Sequence, residues 1–315
     1  MALRNPTVTV IIPTYNRAHL IGRSIRSVLD QTYQDFELIV VDDGSSDNTE
    51  EIVRNFDDRR IRYIRREENS GSPVVPTNEG IKAARGKYIA VQDSDDQWLQ
   101  EKLEKQIKVF EDTTPKVGIV YTDMWRVSED GKKEYWHSPR IMPEDGIIYE
   151  EALGYRVVNI GTQTLVIRKE CFNKAGLFDE KLPMFIDTEL LIRMSRYYYF
   201  YHIEEPLVNY FSTASSISSS READIMARKL ILEKYFEDIK KDRKILARHY
   251  FDIGFLLCAN GEVKPARSYL IKAIAAYPLN IKFLLLAFIS LFGQWPCSKT
   301  IDSYQKSRGW WSGER

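Results

Sequence analysis

The sequence predicts an α/β protein in which a mostly parallel central sheet is flanked by helices, followed by a smaller all-α region. Three observations lead there. Short β-branched runs alternate with amphipathic helical stretches through residues 7–96. Three of those runs end in polar turns, at Tyr15, at Asp42-Asp43 and at Asp93 to Asp96. Beyond the serine-rich stretch from Ser212 to Ser220, the periodicity is helical only.

The elements follow in order. Thr7 to Ile12 is a strand by its β-branched content, stopped by Pro13. The turn Pro13 to Arg17 leads into a helix with Ile21, Ile25, Val28 and Leu29 on one face. Glu37 to Val41 is a second strand, ending in Asp42-Asp43-Gly44-Ser45. Strand, helix and strand within about 35 residues make a βαβ unit, whose crossover is right-handed and whose strands are parallel. A helix from about Thr49 to Phe56 and a strand at Ile61 to Ile64 repeat it. A loop opens at Asn69, a helix runs to Ala84, and the buried central strand that begins at Tyr88 ends at Asp93.

Further on, Leu103 and Ile107 mark a helix after Trp98, and Gly118 to Tyr121 reads as a strand. Ser128 to Lys132 is a hairpin turn, Ser138 to Gly146 a surface loop and Thr164 to Ile167 another strand. Asp187-Thr188-Glu189 opens a helix containing Leu190, Leu191 and Met194. The two domains are expected at residues 1–215 and 216–315. In the second, Ala247, Tyr250, Gly254, Leu257, Ala266, Leu270, Ala273 and Pro278 fall at the spacing of one tetratricopeptide-type helical hairpin. An ordinary helical hairpin explains those small residues equally well.

Composition removes several classes. Lys plus Arg equals Asp plus Glu at 45 each, which argues against a dedicated nucleic-acid binder. No run reaches the roughly 18 apolar residues of a spanning helix, and Val8 to Ile12 is too short for a leader's apolar core. Phe283 to Phe292 and the tail bearing Trp295, Trp310 and Trp311 suit either core packing or contact with a membrane surface. Cys171, Cys258 and Cys297 lack metal or redox spacing and read as reduced thiols of a cytosolic protein.

The chemistry concentrates at Asp93-Ser94-Asp95-Asp96. Asp93 and Asp95 are two residues apart and share a face of an extended chain. Carboxylates so placed repel unless a cation lies between them, and hard divalent cations prefer oxygen. Ligands of open α/β sheets bind outside the carboxyl ends of the strands, where all three polar turns lie.

These residues resemble the family 2 glycosyltransferases, inverting nucleotide-sugar enzymes with the Rossmann-like GT-A fold. The matches, in family order, are Val-Ile-Ile-Pro-Thr-Tyr-Asn-Arg at 10–17, Val-Val-Asp-Asp-Gly-Ser at 40–45, Asn-Glu-Gly-Ile-Lys-Ala-Ala-Arg-Gly at 78–86 and Asp-Ser-Asp-Asp at 93–96. Gly-Leu-Phe-Asp-Glu at 176–180 and Asp-Thr-Glu-Leu-Leu-Ile-Arg at 187–193 resemble the acceptor-side half. The resemblance spans roughly residues 6 to 218.

It implies an enzyme that moves a sugar from a nucleoside-diphosphate sugar, UDP by expectation, to a hydroxyl of a saccharide or lipid-linked glycan. Thr14 and Tyr15 would line the nucleobase pocket, Asp43 would touch base or ribose, and Asp93 would reach ribose or metal. Asp95 would hold a divalent cation, Mn²⁺ or Mg²⁺, and Asp187 matches the general base. Pro13, Asp42, Asn78 and Ser94 complete the nucleotide-side candidates. Asp96, Trp98, Gly161, Thr162, Glu189 and Arg193 are secondary candidates on the acceptor side, with Glu189 the competing base and Arg193 its i+4 neighbour.

The sequence departs from the family pattern at Pro76-Thr77-Asn78, where an arginine is common, and at Ile186, where an acid commonly precedes the base. It also reads Tyr210-Phe211-Ser212-Thr213 where a histidine can follow. The cation is therefore expected to rely on carboxylate, diphosphate and water. The expected setting is cytoplasmic, with peripheral membrane contact through the C-terminal tail and no nucleic-acid partner. The alternatives are a non-catalytic sugar-nucleotide sensor or scaffold using the helical hairpin, and a nucleotidyltransferase. The latter is disfavoured because Pro13 to Arg17 is not a glycine-rich, basic triphosphate loop.

Overall fold

A computed structural model describes residues 5–211 and 220–294, together with 297 and 299. The serine-rich boundary, the end of the Tyr210 to Thr213 motif and the aromatic tail lie outside the described residues. The chain divides into two compact units, Met1–Lys181 with Ile186–Thr213, and Leu182–Phe185 with Ala214–Arg315.

The first unit begins with strand β1 (Val8–Thr14), helix α1 (Ile21–Leu29), β2 (Phe36–Asp42), α2 (Thr49–Arg54), β3 (Ile61–Arg65), α3 (Val74–Ala83) and β4 (Tyr88–Val91). It continues through β5 (Gln97–Trp98), α4 (Lys102–Asp112), β6 (Val117–Val127), β7 (Lys133–Trp136) and α5 (Tyr149–Leu153). Then come β8 (Val166–Arg168), α6 (Lys169–Ala175), α7 (Ile186–Met194) and β9 (Tyr199–Phe211). All are in one sheet of order β3-β2-β1-β4-β8-β6-β9-β5, with β7 paired to β6.

Strands β3, β2, β1 and β4 are parallel, while β8 runs antiparallel to both β4 and β6. The fold is thus GT-A-like: a mixed, mostly parallel sheet flanked by helices, followed by an all-α region. Strands β1, β2 and β4 are buried along their length, because helices cover both faces of a parallel sheet and leave no room for polar alternation. Ile21, Ile25 and Val28 of α1 and Leu103, Ile107 and Phe110 of α4 join Val8, Val10, Leu38, Val40 and Ala90 in one core. Gly80 of α3 is required by that packing, since a Cβ there would meet a methyl of Ile11 at 2.5 Å.

Strand β9, 13 residues long, is not legible from alternation. Glu204, Glu205 and Pro206 interrupt it, and its pairing with β6 shifts register between Thr122–Ile203 and Asp123–Pro206. A proline has no ladder donor and is tolerated at such a bulge.

The second unit is helical among its described residues. It comprises α8 (Arg221–Lys234), α9 (Phe236–Ile239), α10 (Arg243–Ala259), α11 (Val263–Ala276) and α12 (Ile281–Ser290). Caps set the boundaries: Ser220, Asp242 and Asn280 accept backbone N–H groups of the first turns of α8, α10 and α12. Helices α10 and α11 form the hairpin, and Gly254 allows Leu270 to approach, where a Cβ would meet its side chain at 3.0 Å. Cys258 is joined to Cys297 with a Cα separation of 5.8 Å, while Cys171 is free and buried. This corrects the reading of three reduced thiols. The partners are 39 residues apart and share no local motif, so only the fold brings them together. No helix among the described residues is long and apolar enough to cross a membrane.

Candidate active site

The carboxyl ends of β1, β2 and β4 build the site. Thr14 and Asp42 are register partners, and the Asp43 amide donates to the Thr14 carbonyl at 2.8 Å, so the two turns close side by side. Asn16 adopts φ 51°, and its side-chain oxygen accepts the Ser46 amide at 2.8 Å. This left-handed turn leaves the Tyr15 ring 44% exposed at the strand end, free to stack on a planar ligand.

The two aspartates after β2 separate in role. Asp42 is fully buried and closes its own turn, accepting the Ser45 amide at 2.8 Å through one oxygen and the Tyr63 hydroxyl through the other. In Asp43, Oδ2 accepts from the Ser70 amide at 2.9 Å, the Ser70 hydroxyl at 2.7 Å and the Asn69 amide at 3.2 Å. Its Oδ1 is ion-paired with Arg66 Nε at 2.8 Å.

Asn78 is buried and spans α3 and the 176–180 segment. Its amide donates to the Phe178 carbonyl at 3.0 Å and Glu180 Oε1 at 2.9 Å, and its oxygen accepts the Phe178 N–H at 3.0 Å.

After β4 the chain turns sharply. Ser24 donates to the Asp93 carbonyl at 2.9 Å and the Arg23 guanidinium to the Asp95 carbonyl, so α1 holds the backbone of the turn. Asp93, Asp95 and Asp96 crowd together there with Asp187. Burial first, then the charges of Asp95 and Asp187, push the Asp93 carboxyl up to about 7. Burial first, then the charges of Asp93 and Asp95, push Asp96 up, partly offset by the Phe211 amide and Arg23. Asp96 Oδ1 accepts that amide at 2.9 Å and Oδ2 has no partner among the described residues. Ser94 is buried within the turn.

Asp187 lies in the first turn of α7, where the helix dipole favours an anion. Burial raises its carboxyl, while the Thr188 amide (2.6 Å), the Thr188 hydroxyl (3.4 Å) and the backbone of Thr162 hold it down. Thr162 follows Gly161 into a short 3-10 turn, and a Cβ at 161 would meet Gln163 Oε1 at 2.6 Å. Four of the candidates, Asp93, Asp95, Asp187 and Thr162, are thus linked electrostatically or by hydrogen bonds.

Glu189 and Arg193 form a separate unit. Glu189 is fully buried and takes Arg193 Nε at 2.9 and 3.1 Å and Nη2 at 2.8 Å. Arg193 also donates to the carbonyls of Ala175 and Leu177, fixing the turn at Gly176, whose φ is 77°. Trp98 is not open to solvent. It is 2% exposed and donates from Nε1 to the Gln163 carbonyl at 3.0 Å. Lys102, a residue sequence reasoning passed over, lies over the Trp98 ring at 4.0 Å and donates to Gln106 at 2.8 Å. Arg23, in the first turn of α1, was passed over too. A cavity of about 370 Å³ in the helical unit is lined by Glu222, Ile225, Met226, Lys229, Leu230 and Glu262.

Asp96 keeps a buried oxygen without a partner among the described residues, and burial, then the charges of Asp95 and Asp187, raises Asp93; a divalent cation beside them would relieve both. Among the described residues no three His, Cys, Asp or Glu side chains form a metal cage, so further ligands would have to come from elsewhere.

The topology and the strand-end carboxylates define an α/β protein with a candidate ligand site at the carboxyl ends of its strands, and the comparisons give its family. Residues 9–182 match the family model described as glycosyl transferase family 2, and the chain belongs to that family. It is 31% identical over 220 residues to Bacillus subtilis TuaG, named as a teichuronic acid biosynthesis glycosyltransferase, covering 69% of this chain and 83% of TuaG. It is 47% identical over 103 residues to Escherichia coli WfgD, a UDP-Glc:alpha-D-GlcNAc-diphosphoundecaprenol beta-1,3-glucosyltransferase, covering 33% of this chain and 40% of WfgD.

Among solved structures, S. aureus TarS 1-349 in complex with UDP-GlcNAc superposes with TM-score 0.65 at 22% identity, covering 96% of this chain and 92% of that one. The mannosyltransferase PcManGT of Pyrobaculum calidifontis, in complex with GDP-Man and Mn²⁺, gives 0.59 at 19%, covering 99% and 89%. The chain is a glycosyltransferase that uses a nucleotide-sugar donor.

Proposed function

We propose that the protein is an inverting, metal-assisted glycosyltransferase that moves a sugar from a UDP-sugar to a hydroxyl of a saccharide or lipid-linked glycan. The supporting observation is the gathering of Asp187, from the acceptor-side half of the sequence, with Asp93 and Asp95 of the donor half. We assign the transferase to residues 1–215 and a helical region with one tetratricopeptide-like hairpin to 216–315. WfgD's name, with a UDP-sugar donor and a lipid diphosphate acceptor, supports the choice of substrates.

In this reading, Tyr15 stacks on the base, and Thr14, Asp43 and Asp93 orient the nucleoside. Asp95, with Asp93, would hold Mn²⁺ or Mg²⁺, which supplies Lewis-acid neutralisation of the leaving diphosphate. The remaining ligands would be diphosphate oxygens and water. Asp187 accepts the acceptor's hydroxyl proton as that oxygen attacks the anomeric carbon from the face opposite the departing diphosphate. One displacement inverts the anomeric centre.

The test is UDP release from a panel of UDP-sugars with Mn²⁺ and saccharide acceptors, followed by proton NMR of the product's anomeric coupling. The proposal expects an α-linked donor to give a β-linked product. Retained configuration, or no release from any donor, would refute it.

A further inference from the structure

Between Glu262 and Asp302 the chain has no carboxylate, yet it carries Lys264, Arg267, Lys272, Lys282 and Lys299. Helices α11 and α12 lie within this stretch. The inward face of α12 is held by the hairpin: Phe283 stacks on Phe251 with ring centroids 4.6 Å apart and clusters with Ala247 and Ala273. Arg267 closes its end by donating to the Ser290 carbonyl at 3.0 and 2.5 Å.

The outward face is apolar. Ile281, Leu284, Leu285, Phe288, Leu291 and Phe292 recur at helical spacing and are 46–76% exposed. A continuous row of large aliphatic and aromatic side chains in water marks an interaction surface. Lys282 projects beside it, and Lys264 and Lys282 have no ion pair among the described residues. We infer that this face of α12 docks on an anionic lipid surface, its Leu and Phe side chains entering the acyl boundary and Lys282, with Lys264 of α11, meeting the headgroups.

The charge pattern selects that occupant. A second copy of this chain, packed through the same face, would set lysine against lysine with no carboxylate between residues 263 and 301 to receive either. An anionic bilayer offers both the apolar phase and the counter-charge. The inference places the contact on α12 and is independent of the reaction assigned to the first unit.

The experiment is sedimentation of the full chain with sucrose-loaded vesicles of phosphatidylcholine and phosphatidylglycerol (3:1), against phosphatidylcholine alone. The wild type is expected to sediment with anionic vesicles, and Leu285→Glu/Phe288→Glu to lose at least about tenfold in affinity. Because these side chains are exposed, the melting temperature should hold, and Leu285→Ser serves as a milder variant if it does not. Lys264→Gln/Lys282→Gln should weaken binding to anionic vesicles severalfold.

Wild-type protein that stays in solution with anionic vesicles overturns the inference. So does unchanged sedimentation of the Leu285 and Phe288 variants, or loss of binding in Trp310→Ala/Trp311→Ala alone, which would move the contact to the tail. A lipid-free dimer abolished by Leu285→Glu/Phe288→Glu, seen by analytical ultracentrifugation, would assign the face to a second copy instead.

Discussion

Glu189 and Asp187 are two residues apart on α7, and the proposed function assigns them different roles, Asp187 as base and Glu189 as a structural clamp. Glu189 is buried with three N–H···O contacts from Arg193. Removing one partner of a buried ion pair costs about 3–5 kcal/mol, because the other charge remains desolvated. Glutamine keeps the shape and one acceptor oxygen, so Glu189→Gln should fall at the lower end, about 3 kcal/mol. At ~2–4 °C per kcal/mol for a unit of this size, the melting temperature should drop by about 6–12 °C.

Asp187 behaves in the opposite sense. Its carboxyl is raised by burial, so the folded state disfavours the charge, and removing that charge does not destabilise. Asp187→Asn should melt at or slightly above the wild-type temperature while losing at least ~10²-fold in kcat with donor affinity retained. Differential scanning fluorimetry and a coupled UDP-release assay read both variants. A Glu189→Gln protein that melts normally but is inactive, beside an active Asp187→Asn, would refute the assignment of base and clamp.

Two other predictions concern stability. Glu37 accepts from the Arg85 amide (2.7 Å) and guanidinium (2.7 and 2.9 Å), Arg62 (2.9 Å) and Thr9 (2.8 Å). Although burial opposes it, these bonds hold its carboxyl below the usual range. Its stabilisation is thus complete above the unfolded value, about 4.3, and is lost as pH falls through the lower folded value. The stability gap between wild type and Glu37→Gln, measured by urea titration, should be about 1.5–3 kcal/mol at pH 7 and shrink below pH ~4; a gap that widens in acid would contradict the sign. Lys102 is fully buried, and burial pushes its ammonium well down, so folding works against its charge at neutral pH. Lys102→Met, similar in volume over Trp98, should leave urea stability unchanged or raise it by up to about 2 kcal/mol, and a loss above 2 kcal/mol would show that the ammonium is needed.

The donor side of the fold was legible because its physics is local. The strands ending at Thr14, Asp42 and Val91 are β-branched runs that lead into polar turns, although the first runs through Pro13 to Thr14 rather than stopping at the proline. Their parallel pairing needed only the right-handed crossover rule. The pairing of Glu189 with Arg193 was legible as an i, i+4 spacing. What depended on contacts distant in sequence was not. Asp42 read as a nucleotide-side candidate, yet the Tyr63 hydroxyl, from the neighbouring strand, closes it. Strand β9 was hidden by Glu204, Glu205 and Pro206, which only a bulge against β6 accommodates. Trp98 looked available to an acceptor, yet its burial depends on Lys102 and on the Gln163 carbonyl 65 residues away. The Cys258–Cys297 link joins a helix end to a segment beyond α12 that no local spacing connects.

The central claim is that the carboxylates after β4 hold a nucleoside diphosphate through a divalent cation. Isothermal titration of UDP into wild type and Asp95→Ala, each with Mn²⁺ and with saturating chelator, tests it most directly. The account predicts at least about tenfold tighter binding with Mn²⁺ in the wild type, and no such gain in Asp95→Ala at an unchanged melting temperature. Equal affinity in chelator and in Mn²⁺, or a full metal response in Asp95→Ala, would contradict it.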